Sequence, residues 1–242
     1  MVKGEGADNA GQMVDAAGAW AGADDLMIRV HGGQPLSVES VAAVSALCDR
    51  AEDRGGDARV VVQVSGTPEG AWAGGLTVAL VGKWERALRR LERLPMATIA
   101  VATGDCGGIA LDALLATDYR IAATSVRLMM PAAAGVIWPG MALYRIARQG
   151  SNAAAIRRAV LFGVPLDAAD ALALHVVHEI TDDLPNALAA AITLSGAVSG
   201  TELAVRRQLM FDAATVSFED ALGVHLAACD RTLRQASAWS AS

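Results

Sequence analysis

The residue best placed to do chemistry in this sequence is Asp112, because it stands where a charge is expensive. It interrupts the apolar run from Ile109 to Leu115, among Ile109, Leu111, Leu114 and Leu115. A carboxylate in such company costs free energy unless it is paired, protonated or set against a cavity. Just ahead of it, Gly104, Gly107 and Gly108 break the chain where the backbone must turn or be approached closely. Amides at a helix start lack intrahelical partners and carry the positive end of the helix dipole, so the Ile109 N–H is a donor for a developing oxyanion. Asp112, three residues on, falls roughly over the same face. An oxyanion donor beside an acid is what enolate formation next to a carbonyl requires. A structural carboxylate, hydrogen-bonded to a loop or facing water, fits the same residues equally well.

Other reactive side chains form no such constellation. Cys48, Cys106 and Cys229 lie far apart without CxxC spacing, which fits a reducing compartment and offers neither a zinc site nor a disulfide framework. His31, His175, His178 and His225 show no metal-ligand spacing, so no metal is expected. For His31 and His225 a surface or capping role is expected. With 53% hydrophobic and 19% charged residues the chain is globular, and a formal net charge of −6 argues against nucleic acid as its main partner. No run approaches a membrane span and the first residues hold no apolar signal core, so a cytoplasmic protein with no membrane association is expected.

The elements that must position Asp112 are legible on both sides of it. Residues 1–23 are rich in Gly, Ala and Asp and read as a flexible arm. Residues 24–183 alternate strand and helix patterns. Leu26 to Val30 reads as a strand, Ser37 as the cap of a helix reaching Arg54, and Val60 to Val64 as a strand buried on both faces. That spacing means a parallel pair joined by a crossover. The loop 65–76, with four glycines and a proline, follows at the end of the strand where such sheets bind ligands. A helix from Thr77 to about Arg93 carries Lys83, Arg86, Arg89 and Arg90, read as an ordinary solvated face. Then come a strand over Met96–Ala102, the glycine turn, and the helix from Ile109 to Ala116. Strands are expected at Tyr119–Ala122, Val126–Met130 and Val176–Ile180, with a loop from Pro131 to Gly140 and helices between. Residues 184–242 read as helical throughout.

The run LPMATIAVATGDCGGIALDALLATDYRIAA, with VLFGVPLDAADALALHVVHEI and more weakly VVVQVSGTPEGAWAGGL, resembles the crotonase (enoyl-CoA hydratase/isomerase) superfamily. The resemblance implies an α/β fold, a crotonase-like ββα spiral core followed by a C-terminal helical oligomerisation region, and a homotrimer or hexamer. It implies an acyl-CoA thioester as substrate, coenzyme A entering only as part of it, with no separate cofactor. Carried over by position, the two backbone oxyanion donors are Ala73 and Ile109, with Gly74 and Gly108 beside them, and Asp112 stands where hydratases carry their first catalytic Glu. Asp118 matches a structural position. Trp72, Trp138 and Tyr144 are candidates for shaping the acyl pocket, and Tyr144 also for donating a proton, although core packing suits each better.

The chain departs from the family pattern in two places. The glycine triplet is here Gly108-Ile109-Ala110, which narrows the space beside the thioester. Pro131 is followed by Ala132, where hydratases carry a second Glu, so one-carboxylate enolate chemistry is expected: dehydration, a double-bond shift, or water addition assisted by another group. The segment GVIWPGMALYRIARQG is similar to the crotonase-type helpers of the dihydroxyphenylglycine pathway, which assist a type III polyketide synthase in making 3,5-dihydroxyphenylacetyl-CoA. This implies dehydration of a polyketide-CoA and a polyketide synthase partner. A weakly catalytic or non-catalytic helper subunit is the competing expectation. A serine peptidase ranks last, for want of a Ser paired with a His.

Overall fold

The computed structural model describes residues 26–55, 58–70, 72–130, 132–133, 136–138, 140–149, 154–198 and 200–240. The arm expected over residues 1–23 lies outside them. The main sheet is built on the parallel strands β1 (Leu26–His31), β2 (Val60–Gly66), β3 (Thr98–Gly107) and β4 (Tyr119–Ala122). Each pairs with the next in register, Leu26 opposite Val60, Val60 opposite Thr98 and Ile99 opposite Tyr119. The crossover between β1 and β2 is α1 (Val38–Arg54). Ser37 caps it by accepting from the Ser40 amide at 3.2 Å, and Gly55 ends it at φ 75°. Between β2 and β3 runs α2 (Val78–Leu91), capped by Thr77, whose hydroxyl accepts from the Leu80 amide at 3.1 Å. Val60, Val61 and Val62 have no exposed surface, as a central parallel strand covered on both faces requires. Arg90 of α2 reaches Asp49 and Glu52 of α1 at 2.6 Å each.

β3 departs from expectation. The strand does not turn at Gly104 but continues to Gly107, so the glycines bend a strand where a loop was expected. Gly104 takes φ 61°, and the register with β2 shifts between Ser65 and Gly66. Past that bend Asp105–Gly107 pair with β5 (Arg127–Met129), while Cys106 still faces Gly66 of β2. α3 (Gly108–Leu115) begins at the very next residue.

The segment 131–140 was expected as plain loop, yet it contains a small antiparallel pair, β6 (Ala132–Ala133) with β7 (Val136–Ile137). It leads into α4 (Met141–Gln149) and α5 (Ala154–Phe162). The two-residue β8 (Leu166–Asp167) pairs antiparallel with β5, and α6 (Ala168–Ala173) follows. The strand expected over Val176–Ile180 shrinks to β9 (Glu179–Ile180), beside β4. Val176 and Val177 are buried but donate their amides to the Ala171 carbonyl at 2.8 and 3.2 Å, closing a turn behind α6.

Everything described after β9 is helical: α7 (Leu184–Ser195), α8 (Gly200–Asp212) and α9 (Phe218–Ser240). The buried Arg207 of α8 anchors this region to the sheet. Its guanidinium donates to both carboxylate oxygens of Asp118, at 2.7 and 2.6 Å, and to the carbonyls of Leu94 and Met96. Asp118 also accepts from the amide and hydroxyl of Thr98, which makes it a structural residue, as expected. No single described helix is long and apolar enough to cross a membrane.

Candidate active site

α3 starts where β3 ends, and two glycines let another loop close on that junction. Gly108 takes φ 54°, and a Cβ there would lie 2.5 Å from Pro68 Cγ; a Cβ on Gly107 would lie 2.6 Å from Thr67 Oγ1. The absence of side chains at 107 and 108 therefore lets Thr67 and Pro68 rest against the helix start. Gly107 precedes the helix in extended conformation, so the amides of Gly108 and Ile109 sit in its first turn, where intrahelical acceptors are missing.

A narrow cavity of about 40 Å³ opens at this junction. Its wall is largely apolar, with Pro68, Trp72, Leu76, Trp84, Ile109 and Trp138 among the lining residues. Trp72 and Trp138 meet edge to face, ring centroids 5.7 Å apart and planes at 88°. Two carboxylates reach the same cavity, Asp112 from α3 and Glu85 from α2.

Asp112 is partly buried, and Trp84 Nε1 donates to its Oδ2 at 3.1 Å. Burial, and after it the charge of Glu85, pushes its carboxyl up to about 7; the Trp84 indole, Arg145 and the Ala142 amide pull the other way without winning. A carboxyl at that value is shared between its two protonation states near neutrality, which suits moving protons in either direction. Burial, with Asp112 beside it, pushes the fully buried Cys106 thiol up, so it stays neutral and inert.

Glu85 is also pushed up, mainly by burial and against the pull of Arg145. The Arg145 guanidinium, 8% exposed, stands between two acids: Nη1 is 2.9 Å from Glu85 and Nε donates to Glu92 at 2.7 Å. Glu92 accepts in addition from Arg89 at 2.8 Å. Glu85 further lines a second, larger cleft of about 950 Å³ between α2, α4 and α8.

Of the residues singled out from sequence, Asp112, Ile109, Gly108, Trp72 and Trp138 share the narrow cavity. Ala73 and Gly74 are exposed in the turn between Trp72 and Leu76, two residues that line it. The Ala73 carbonyl accepts from the Leu76 amide at 3.2 Å, which fixes that turn. Tyr144 does not line this cavity: it is 47% exposed, lines the larger cleft, and its hydroxyl accepts from Arg148 at 3.2 Å. On α4 the cavity-facing residue is Ala142, and two residues further the helix has turned by about 200°. His31 accepts from the Gly33 amide at 3.2 Å and His225 is exposed, the modest roles expected of them. Among the described residues no three His, Cys, Asp or Glu side chains converge as a metal site.

Glu85 and its partner Arg145 escape a reading of the sequence. Glu85 lies in the cationic run 83–90, which reads as a solvated surface. The available signal is periodicity: Val81, Trp84 and Leu88 mark the inward stripe of α2, and Glu85 flanks it.

No protein-family model matches this chain. It is 51% identical over 211 residues to a protein of Amycolatopsis orientalis named enoyl-CoA-hydratase, covering 87% of this chain and 97% of that one. Among solved structures it resembles an enoyl-CoA hydratase/isomerase from Marinobacter aquaeolei, with a TM-score of 0.76 over 88% of this chain and 89% of that one at 16% identity. A putative enoyl-CoA hydratase from Thermobifida fusca, solved in complex with CoA, gives a TM-score of 0.73 over 89% and 93% at 15% identity. At such identity the structures speak for the fold alone. The identity to the Amycolatopsis protein, spread over nearly its whole length, shows descent as well: this chain belongs to the crotonase, or enoyl-CoA hydratase/isomerase, superfamily.

Proposed function

We propose that this protein processes an acyl-CoA thioester through an enolate, adding or removing water across the Cα–Cβ bond. The observation that carries this is Asp112, an acid poised near neutrality in an apolar cavity at the start of α3. The Ile109 amide, in the first turn of α3, and the Ala73 amide, in the turn closed by the Leu76 N–H, hold the thioester oxygen as negative charge moves onto it. Asp112 takes the proton from, or returns it to, the α-carbon. Trp72 and Trp138 exclude water from the acyl group, and Gly74 and Gly108 let the thioester approach the backbone. CoA as the carrier is supported by the Thermobifida fusca neighbour, whose structure holds it. The protein needs no cofactor beyond the CoA of its substrate.

The resemblance of residues 135–150 to the dihydroxyphenylglycine-pathway helpers supports a polyketide-CoA as substrate, with dehydration as the direction and a type III polyketide synthase as partner. The exposed apolar residues of α9 support a homotrimer or hexamer. A second reading is a helper subunit without chemistry of its own, favoured by the narrowness of the cavity and by Ala132 in place of a second loop Glu.

Turnover of crotonyl-CoA and of a synthase-derived polyketide-CoA separates the two. The enzyme reading expects Asp112→Asn to lower turnover by about 100-fold or more. If Asp112→Asn changes neither reaction, the catalytic role of Asp112 is abandoned; wild type that turns over neither substrate leaves the helper reading.

A further inference from the structure

We propose that Glu85 of α2 is the second acid–base group of the Asp112 cavity, working at the β-carbon of the substrate while Asp112 works at the α-carbon. This rests on the enolate reading above and deepens it. The superfamily pattern places a second carboxylate on the loop after Pro131, and this chain has Ala132 there. The cavity nevertheless holds two carboxylates, because α2 brings one in.

Three features fit Glu85 to the task. It lines the same cavity as Asp112, so it faces substrate directly and need not act through another group. Arg145 lies 2.9 Å from it, yet the Nη1 involved has no aligned hydrogen-bond acceptor among the described residues. That ion pair engages Oε2 of Glu85, which leaves Oε1 to take a water proton. Glu85 also borders the larger cleft, giving its proton a route out of a cavity whose lining, apart from Gln34 and the two acids, is apolar.

The charged groups around the pair are few. Glu85 faces Arg145 of α4 and, beyond it, Glu92, which Arg89 also neutralises. Asp112 faces Glu85, Arg145 and the neutral Cys106 thiol. Two carboxyls in one low-dielectric cavity disfavour ionising together, so they divide the labour: Arg145 favours the charged form of Glu85, and the charge of Glu85 favours the neutral form of Asp112.

Hydration then balances. The Glu85 carboxylate takes one proton from water as the oxygen bonds to Cβ. The Cα–Cβ π electrons move toward the thioester, whose oxygen the two amides hold. The Asp112 carboxyl gives its proton to Cα. Glu85 ends protonated and Asp112 ionised, and exchange with solvent through the larger cleft restores the start. Dehydration is the reverse: Asp112 takes the α-proton and Glu85 protonates the departing hydroxyl. The cavity's 40 Å³ accommodates the water molecule.

The test compares two reactions of the same enzyme. Exchange of the α-protons of butyryl-CoA into D2O, followed by NMR, needs the amides and Asp112 only. Hydration of crotonyl-CoA needs both acids. Glu85→Gln is expected to lower hydration by about 100-fold or more while exchange persists, its pH profile moving lower because Asp112 loses a like charge. Asp112→Asn is expected to abolish both. Glu85→Asp keeps the charge beside Arg145 but withdraws it by one methylene; it is expected to fold, to exchange normally and to hydrate at least 10-fold more slowly, and it serves if Glu85→Gln does not fold. Hydration unchanged in a folded Glu85 variant overturns the proposal and leaves the enolate reading intact. A wild-type enzyme that exchanges but does not hydrate likewise overturns it, and one that does neither removes both.

Discussion

At Asp112, burial and a neighbouring Glu85 carboxylate are set against one indole N–H, one amide and a distant guanidinium, and the destabilising pair prevails. Its carboxyl sits at about 7 against an ordinary 3.8. The consequence for stability has a definite sign. A folded-state value raised above the unfolded one means that the contribution is fully present below the unfolded value and is lost as pH rises through the folded one. Wild type should therefore lose stability between about pH 4 and pH 8, by at most about 4 kcal/mol at 1.4 kcal/mol per unit. Asp112→Asn keeps an oxygen for the Trp84 N–H but never ionises. Urea melts are expected to show its advantage over wild type growing from pH 4.5 to pH 8; parallel curves would mean that Asp112 is not desolvated. The sequence displayed this residue because an acid within an apolar helix is conspicuous. It hid Glu85, whose neighbours Lys83, Arg86, Arg89 and Arg90 make an acid look like ordinary surface.

Among the elements, the site depends on the junction of β3 with α3 and on the loop packed against it. Gly108 and Gly104 have similar positive φ, 54° and 61°, but different surroundings. A Cβ on Gly104 meets nothing within 4 Å, whereas on Gly108 it meets Pro68 at 2.5 Å. Gly104→Ala should lose about 1–2 kcal/mol from backbone strain and keep its activity. Gly108→Ala should lose a further ~1–3 kcal/mol from overpacking and, by pushing away the loop that carries Ala73, at least about 10-fold in turnover. Urea melts with activity measurements check both, and equal losses of activity would detach the loop from the chemistry. The valine-rich β2, the caps Ser37 and Thr77 and the helix at Asp112 were legible, since local residue types decide them. The passage of β3 through Gly104 to Gly107 was not. There a glycine normally ends a strand, and a new partner, β5, more than twenty residues later in the chain, together with Gly66 of β2 keeps this one extended. That Tyr144 lines the larger cleft and not the narrow one was not legible either, because only the packing of α4 decides which of its faces meets each cavity.

For the molecule as a whole, the helices after β9 are tied down at one end and open at the other. Arg207 locks α8 to Asp118 and the β3 approach, while α9 leaves Leu222, Leu226 and Leu233 43%, 57% and 67% exposed at helical spacing. Such a stripe fits contact between copies of the chain. Sedimentation is expected to give a trimer or hexamer, and Leu226→Glu with Leu233→Glu is expected to release monomers; a wild-type monomer would contradict this. The helical character of this region was evident in its sequence, but its anchor was not, because Arg207 and Asp118 are brought together only by the fold.

The central claim is that Asp112 moves a proton at the α-carbon of a CoA thioester held in this cavity. It is tested most directly by following deuterium incorporation from D2O into the α-position of butyryl-CoA, for wild type and Asp112→Asn, from pH 5 to pH 9. The account predicts a wild-type rate that rises with pH to a plateau, with an inflection near 7, and no incorporation above the uncatalysed rate for Asp112→Asn. Equal rates for the two proteins, or a wild-type rate that shows no inflection, would contradict it.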